Sequence, residues 1–301
     1  MGLEEVCVLI PTLNEEDAIA EVIGEFKAMG FENVLVVDGH SVDETVSRAR
    51  VAGAKVFLQT GKGKGQALKD AFKIIESDYI LMIDGDGTYS PSEAFSLLDF
   101  VQSGQSDHVI GNRFGNLQEG ALTRLNMVGN KLINLFFRLV YKVPLNDILT
   151  GYRAFTREGI QRLDLTMAGF EIETEMTIES VKKGLCITEV PITYRERSTG
   201  TQTKLNPLKD GSKIIATIYR MAKTHNPLFY FGVIGSIFGA FGFLLGVYVV
   251  RDWLNHIDHI PLTILTAILI IVGFQLFMMG ILGDVIASMN REFVRELYKR
   301  K

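Results

Sequence analysis

The stretch "ILMIDGDGTYSP", residues 80–91, runs from an apolar segment directly into two aspartates, Asp84 and Asp86, that are one residue apart. The apolar run predicts a buried strand. At the end of an extended strand, residues i and i+2 point the same way, so the two carboxylates are expected to converge and to repel each other without a cation. Mg2+ and Mn2+ prefer such oxygen ligands. The stretch therefore predicts a divalent metal site at a strand end.

Two structural alternatives apply to the same residues. A calcium-binding loop that starts at Asp84 needs glycine at its sixth position and glutamate at its twelfth, where the sequence has tyrosine and phenylalanine. A helix-entry turn fits better, with Ser90 as the cap, Pro91 at the first helical position and Glu93 three residues after the cap. Because this cap does not account for the two aspartates, we expect it beside the metal site.

The stretch is the last of four short apolar runs that alternate with amphipathic segments, at residues 6–10, 33–38, 55–58 and 79–84. This alternation predicts a parallel sheet with helical crossovers, and such sheets bind ligands at the carboxyl ends of their strands. Further strands are predicted at 108–114, 151–155 and 187–197, and helices at 121–142 and 171–184. The predicted fold class is α/β.

The polar loops after these strands argue against two common nucleotide sites. A dinucleotide fold needs G-x-G-x-x-G after the first strand, but "PTLNEE", residues 11–16, contains no glycine. A P-loop needs Gly-Lys-Ser/Thr, which is absent from "GKGKGQAL", residues 61–68. The first loop and "DGHSVDET", residues 38–45, also fit helix capping boxes. Lys64 and Gly65, at the predicted start of a helix, remain a candidate phosphate contact.

Four motifs in this order, "VLIPTLNEE", "VVDGHSVDET", "GKGKGQAL" and "MIDGDGTYSP", resemble the GT-A domain of glycosyltransferase family 2. The resemblance continues through "IGNRF", "DILTGYRAF" and "VPITYRERSTGTQTKL", which are similar to the polyprenyl-phosphate branch of that family, the dolichyl-phosphate mannose or glucose synthases and their bacterial undecaprenyl-phosphate relatives. It covers residues 6–205, and the GT-A resemblance implies a mixed, mostly parallel sheet with helices on both faces.

The resemblance implies a nucleoside-diphosphate sugar as donor and assigns roles to individual residues. Those expected around the nucleotide are Pro11, Asn14, Glu15, Lys64, Gly65 and Asp84, with Asp38 reading the base. Those expected at the metal and at the reacting phosphates are Asp84, Asp86, Thr88, Arg113 and Arg124. Those expected to neutralise the acceptor phosphate or the leaving nucleotide are Arg195, Arg197 and Lys204.

Two departures from the family pattern limit these assignments. Many relatives have glutamine where this chain has Thr88, whose hydroxyl could reach a metal-bound water. The chain also lacks Gln-x-x-Arg-Trp, which argues against a processive polysaccharide synthase. Of the three glutamates in "GFEIETEM", residues 169–176, at most two are expected to face the site, because residues two apart do not share a helix face.

The apolar excess of the chain lies near its end. Residues 228–250 contain no charge, a length that as a helix spans roughly 35 Å against a hydrocarbon core of about 30 Å. Residues 260–283 repeat the pattern, which predicts a transmembrane hairpin. Lysine and arginine are abundant at 204–223 and 291–301 but rare in the linker between the spans, so the catalytic domain and both termini are expected in the cytoplasm.

Four segments follow from these patterns. They are a GT-A domain at 1–205, an amphipathic interfacial helix at 206–226, the transmembrane hairpin at 227–283 and a basic tail at 284–301. The two cysteines fit a reducing cytosolic domain, and the formal net charge of -4 does not indicate a nucleic-acid-binding protein.

Residues 122–143 mix an apolar face with Arg124, Lys131 and Arg138 at seven-residue spacing, which fits both a helix on an anionic membrane and a domain helix with one wet stripe. In the first span, glycines at three- and four-residue steps form a seam that allows close approach to the second span or to another subunit of a homo-oligomer.

The predicted function is that of an inverting, Mg2+- or Mn2+-dependent transferase that moves one sugar to dolichyl or polyprenyl phosphate at the cytoplasmic membrane face. UDP-glucose or UDP-N-acetylglucosamine is the favoured donor and GDP-mannose the alternative, and a dolichol-type lipid is favoured over undecaprenol. A transferase acting on a hydroxyl acceptor and a catalytically inactive, membrane-tethered nucleotide-sugar binding module are the other hypotheses.

Overall fold

The computed structural model describes residues 2–118, 120–196 and 207–299. The chain divides into two compact units, Met1–Thr217 and Ile218–Lys301. The boundary between the units falls within one long helix, Pro207–His225. The predicted segment boundaries at 205, 226 and 283 stay predictions.

The first unit is built on one seven-stranded sheet. Its strands are β1 Val6–Thr12, β2 Val34–Asp38, β3 Lys55–Leu58, β4 Tyr79–Met82, β5 His108–Leu117, β6 Arg153–Thr156 and β7 Ile187–Tyr194. They lie in the order β3-β2-β1-β4-β6-β5-β7. All neighbouring pairs are parallel except those that β6 makes with β4 and β5. The predicted mixed, mostly parallel sheet is confirmed.

The helices pack on both faces of the sheet, as predicted. Alternate residues of β1 enter two different cores, Val8 and Ile10 on one face and Cys7 and Leu9 on the other. The helices of the chain are α1 Ile19–Ala28, α2 Thr45–Val51, α3 Lys64–Ile74, α4 Ala94–Gln102, α5 Arg124–Tyr141, α6 Arg157–Gln161, α7 Ile172–Lys182, α8 Pro207–His225, α9 Pro227–Leu254 and α10 Ile260–Lys299. Because both faces are covered, the strands read as continuous apolar runs.

The predicted helix entry, with Ser90 at the cap position and Pro91 first in the helix, is confirmed, but the predicted side-chain cap is wrong. Pro91–Glu93 form a short 3-10 helix before α4, and the Ser90 side chain makes no capping hydrogen bond. The Glu93 carboxylate instead accepts hydrogen bonds from the backbone N–H of Thr193, at 2.9 Å, and from its hydroxyl, at 2.8 Å. A tertiary contact with β7 therefore replaces the local capping box.

The second unit contains two helices that are long and apolar enough to cross a membrane. Among the described residues these candidate spans are Pro227–Leu254 and Ile260–Met289. Their backbones approach closely at glycines: a Cβ on Gly235 would lie 2.7 Å from the carbonyl oxygen of Gly273, and one on Gly273 would lie 2.8 Å from that of Gly235. At this point of the glycine seam the partner of α9 is α10. The expected homo-oligomer stays a prediction.

Candidate functional site

A cavity of about 710 Å3 opens where the first four strands end. Seven of the residues expected from the sequence line it, namely Pro11, Glu15, Lys64, Asp84, Asp86, Thr88 and Arg113. The sheet produces this convergence, because β1, β2, β3 and β4 are mutually parallel and deliver their carboxyl ends to the same edge.

Lys64 lies at the centre of a partly buried ion cluster in this cavity. Its Nζ is 2.5 Å from Asp84 Oδ1 and 2.6 Å from Glu173 Oε1. Burial alone would lower the pKa of Lys64, but the two carboxylates hold that pKa above its usual value. The lysine is therefore a fixed cation, and Asp84 is held by it. Of the glutamates in the predicted helix, Glu173 faces the site.

The backbone around Lys64 depends on glycines. Gly63 precedes α3 with φ +92°, a conformation that favours glycine. A Cβ on Gly65 would lie 2.5 Å from the carbonyl oxygen of Met167, while the Gly65 N–H donates to the Ala168 carbonyl at 2.9 Å. The glycine loop thus starts α3 and packs against the 167–168 backbone. Gly65 does not line the cavity itself.

Asp86 is oriented by Thr88. The backbone N–H and the hydroxyl of Thr88 donate to Asp86 Oδ1 at 3.1 Å and 2.6 Å. Gly87 makes this tight turn with φ +74°. Thr88 is 3% exposed, so it holds the Asp86 carboxylate from the buried side.

Asp84 is packed against the backbone on its other side. A Cβ on Gly151 would lie 2.3 Å from Asp84 Oδ2, so any side chain at that position would displace the Asp84 carboxylate. The Gly151 N–H donates at 2.9 Å to the hydroxyl oxygen of Tyr89, a buried residue of the same loop as Asp86. The segment before β6 therefore packs against the loop that carries Asp84 and Asp86.

The cavity fits a divalent ion by the chemistry of its donors. Carboxylates outnumber cations among the described residues that line it: Glu15, Asp84, Asp86, Glu173 and Glu196 against Lys64 and Arg113. Among the described residues, no group of three or more His, Cys, Asp or Glu side chains is placed to hold a metal ion. Mg2+ at phosphate sites typically uses one or two carboxylates and completes its shell with phosphate oxygens and water. An aspartate pair is sufficient for such a site.

Arg113 presents a buried guanidinium to the cavity. Its Nε and Nη2 donate to Asp147 at 2.7 Å and 2.8 Å, and its carbon Cζ lies 5.3 Å from the centre of the Tyr194 ring. Burial would lower the pKa of Arg113, but Asp147 raises it well above the usual value. No described group accepts a hydrogen bond from Nη1, so one edge of the guanidinium remains for an anion.

The other expected residues lie around the cavity without lining it. Asn14, with φ +50°, ties two loops together, because its N–H donates to Ser41 Oγ and its side chain accepts from the Val42 N–H. Arg124 is the first residue of α5 and is exposed. Arg195 is exposed and donates from Nη2 to Ser90 Oγ at 3.0 Å. Arg197 and Lys204 lie outside the described residues.

Asp38 is fully buried at the end of β2 and also lies outside the cavity lining. Its Oδ2 accepts from the Ser41 N–H at 2.8 Å, and its Oδ1 accepts from the Ser41 hydroxyl at 2.5 Å. Its carboxylate thus holds the β2–α2 loop. The base-reading role expected for it stays a prediction.

Arg153 is a buried cation that was not predicted from the sequence. Its Nε and Nη2 donate to the carbonyls of Thr150, at 2.9 Å, and Ile148, at 2.6 Å. Its Nη1 donates to Thr177 Oγ1 and to His108 Nε2. Burial lowers the pKa of Arg153 to about 10, so it is charged at neutral pH. It holds the segment 147–151, which supplies Asp147 to Arg113 and Gly151 to Asp84.

Asp147, Gly151 and Arg153 lie in the motif "DILTGYRAF" but were not predicted as site residues. The only signal was the coexistence of two charged residues with a glycine in an apolar segment. Asp147 pairs with Arg113, 34 positions away, and the Gly151 N–H with Tyr89, 62 positions away, so no local pattern could predict these contacts.

Comparison with known proteins agrees with this geometry. The model of the family described as Glycosyl transferase family 2 matches residues 7–163. Glycosyltransferase AglJ of Haloferax volcanii is 46% identical over 296 residues, which cover 98% of this chain and 97% of that protein. The dolichyl-phosphate hexose transferase of the same organism is 32% identical over 222 residues, covering 72% of this chain and 94% of that protein.

Among solved structures, the chain is similar in fold to glucosyl-3-phosphoglycerate synthase from Mycobacterium tuberculosis, crystallised with Mn2+ and UDP-glucose. The TM-score is 0.61 at 24% identity, over 72% of this chain and 78% of that chain. The family match begins within β1 and ends beyond β6, so it contains the strands that carry the aspartate pair and the glycine loop.

Proposed function

This chain belongs to glycosyl transferase family 2, and we propose that it moves a single sugar from a nucleoside-diphosphate sugar to a dolichyl or related polyprenyl phosphate. The cavity carries the proposal, because it gathers Asp84, Asp86, Lys64 and Arg113 at the carboxyl edge of one sheet. The name of the dolichyl-phosphate hexose transferase supports the acceptor class. UDP-glucose or UDP-N-acetylglucosamine is the proposed donor.

Asp86 and Asp84 are proposed to hold Mg2+ or Mn2+ together with the donor diphosphate. The bound ion would offset the charge that develops on the departing diphosphate. The Mn2+ bound in the crystal structure of the mycobacterial synthase of similar fold is consistent with this donor set. Thr88 keeps the Asp86 carboxylate in one orientation, and Lys64 keeps Asp84 against the glycine loop.

The acceptor phosphate needs no general base. A phosphate monoester has its second pKa near 6 and is a dianion at neutral pH, so its oxygen can attack the anomeric carbon directly. The new C–O bond forms as the bond to the donor diphosphate breaks on the opposite side, which inverts the configuration. Cations must hold the two anionic partners together. Arg113, Arg124 and Arg195 are proposed for this role, with Arg197 and Lys204 beyond the described residues.

A lipid acceptor requires a site at a membrane, and two features support this location. α9 and α10 are proposed to anchor the chain with the catalytic unit and both termini in the cytoplasm, because lysine and arginine flank the spans on that side. α5 adds a second, exposed apolar stripe. Its members are Leu125, Val128, Leu132, Leu135 and Leu139, each 45–62% exposed.

The α5 stripe favours the membrane interpretation of this helix. Ile133, Phe137 and Val140 on another face are already buried in the catalytic unit, so the exposed leucines are not needed for its core. A second apolar face flanked by Arg124 and Lys131 is typical of a helix at a lipid surface. We propose that α5 rests on the anionic cytoplasmic leaflet.

A fluorescent probe on α5 is expected to contact lipid acyl chains. With the exposed Cys186 replaced by serine, an environment-sensitive dye on Leu132→Cys in nanodiscs should be quenched by lipids brominated on their acyl chains. The matched control is Val51→Cys on α2, which is 90% exposed and should not be quenched. Equal behaviour at the two positions would contradict docking of α5.

The proposed function is tested with a donor panel. Purified full-length protein with Mn2+ is expected to release nucleotide from UDP-glucose or UDP-N-acetylglucosamine only when dolichyl phosphate is present. Release of nucleotide from GDP-mannose and from neither UDP-sugar would indicate a mannose synthase. Transfer that persists with unphosphorylated dolichol would indicate a hydroxyl acceptor, and donor binding without any turnover would indicate an inactive binding module.

A further inference from the structure

The cavity has an end that is remote from the aspartate pair. Leu13, Gly39 and Gln59 line this end, just beyond the termini of β1, β2 and β3. The strand order β3-β2-β1-β4 places three strand spacings between β3 and β4, about 14 Å in total. That span matches the length of a nucleoside diphosphate. If the diphosphate lies at Asp84 and Asp86, the base reaches the end of β3.

Gln59 is the polar side chain at this end that is available to a ligand. It directly follows β3, lines the cavity and is 3% exposed. Its backbone N–H donates to the Asp38 carbonyl at 3.1 Å, which fixes its position beside β2. The Asp38 carboxylate is outside the lining and accepts from Ser41.

The orientation of the Gln59 amide is set by the chain itself. Nε2 donates to the carbonyl oxygen of Gly61 at 2.8 Å. Since a carbonyl can only accept, the amide cannot turn over without losing this bond. Oε1 receives no hydrogen bond from any described group. Gln59 therefore offers the cavity an acceptor held in one orientation.

We propose that Gln59 Oε1 selects the nucleobase by accepting a hydrogen bond from a ring N–H. This inference rests on the proposed function and names a residue that determines its donor class. Uracil at N3 and guanine at N1 carry such a proton at neutral pH, whereas the corresponding nitrogens of cytosine and adenine are bare acceptors. Two acceptors would face each other in the latter case, and sites built to bind an N–H reject analogues that lack it.

The test compares ratios of dissociation constants. Binding of UDP, GDP, CDP and ADP to the full-length protein with Mn2+ is measured by calorimetry for wild type, Gln59→Met, Gln59→Glu and Gln66→Leu. The wild type is expected to bind UDP or GDP at least about tenfold more tightly than CDP and ADP. Gln59→Met, of similar length but without a strong acceptor, should bring that ratio close to one.

The other two variants separate base reading from loop damage. Gln59→Glu keeps an acceptor oxygen and should retain the preference even if all four nucleotides bind more weakly. Gln66 supports the same loop through Thr60 and Asp70 but does not line the cavity, so Gln66→Leu should leave the ratio unchanged. A ratio does not depend on the folded fraction of a variant, so partial unfolding does not blur the result.

An unchanged preference in Gln59→Met would overturn the assignment of Gln59. So would a wild type that binds CDP as tightly as UDP and GDP. A wild type that binds none of the four nucleotides would instead contradict the proposed function, which makes the two failures distinguishable.

Discussion

Replacing Asp86 with asparagine is expected to lower the rate of sugar transfer by a factor of roughly 10²–10⁴. An asparagine can still accept the two Thr88 hydrogen bonds through Oδ1, so the loop keeps its conformation. The NH2 group of the asparagine takes the place of the second carboxylate oxygen, and an NH2 group cannot coordinate a cation. The variant should therefore bind Mn2+ more weakly, as measured by electron paramagnetic resonance, while its melting temperature stays near that of the wild type.

The matched control is Asp99→Asn on α4, an exposed aspartate outside the cavity, which should transfer sugar at the wild-type rate. Asp84→Asn would also disturb the ion pair between Asp84 and Lys64, so it is not equivalent to Asp86→Asn. An Asp86→Asn protein that binds Mn2+ and donor as the wild type does would contradict the metal role of Asp86. It would also strengthen the hypothesis of a binding module whose aspartates serve structure alone.

The sequence predicted those parts of the fold that depend on local patterning. β3 was placed at its observed bounds, and the strand ends that form the cavity were identified because parallel strands deliver their carboxyl ends to one edge. Convergence of Asp84, Asp86 and Lys64 followed from that rule, whereas Arg113 lies within β5 and was expected only from the family resemblance. β6 shows the limit. Its antiparallel insertion between β4 and β5 is a non-local pairing that no periodicity in "GYRAF" specifies.

Hydrogen bonding decided the details of the site that the sequence could not. Ser90 and Glu93 have the spacing of a capping box, yet Glu93 bonds to Thr193, 100 positions away. Asp38 is a carboxylate at a strand end, the same pattern as Asp84, but a neighbouring serine satisfies it and the chain buries it. A polar residue at a strand end is therefore a candidate only until its partners are known.

Replacing Arg153 with lysine is expected to lower the free energy of unfolding by about 2–4 kcal/mol and to reduce sugar transfer as well. The planar guanidinium donates to two carbonyls, those of Ile148 and Thr150, and a single ammonium cannot reach both with the same geometry. Each buried carbonyl left without a donor costs about 1–3 kcal/mol. The loosened segment carries Asp147, so Arg113 loses its fixed position.

Arg157→Lys is the control for this variant. Arg157 begins α6 four residues further on, and its Nη1 donates to the Glu76 carbonyl, outside the cavity. Chemical denaturation should show a much smaller loss of stability, and transfer should be unchanged. If Arg153→Lys lost stability without any effect on the Michaelis constants or the turnover number, its role would be confined to the core and would not extend to positioning the site.

The neighbouring His108 gives the same network a pH signature. It is fully buried, its Nε2 accepts from Arg153, and its Nδ1 therefore carries the proton shared with Ser180 Oγ. Burial lowers the pKa of His108 well below its usual value, and the charge of Arg153 lowers it further. Below pH ~6.5 the unfolded chain then binds a proton that the folded chain does not, so stability should fall as the pH drops, by at most ~1.4 kcal/mol per pH unit. Above that pH the contribution is constant.

Denaturation curves between pH 5 and 8 should show this slope in the wild type and a smaller slope in His108→Asn. Equal slopes in the two proteins would mean that burial and Arg153 do not hold His108 neutral.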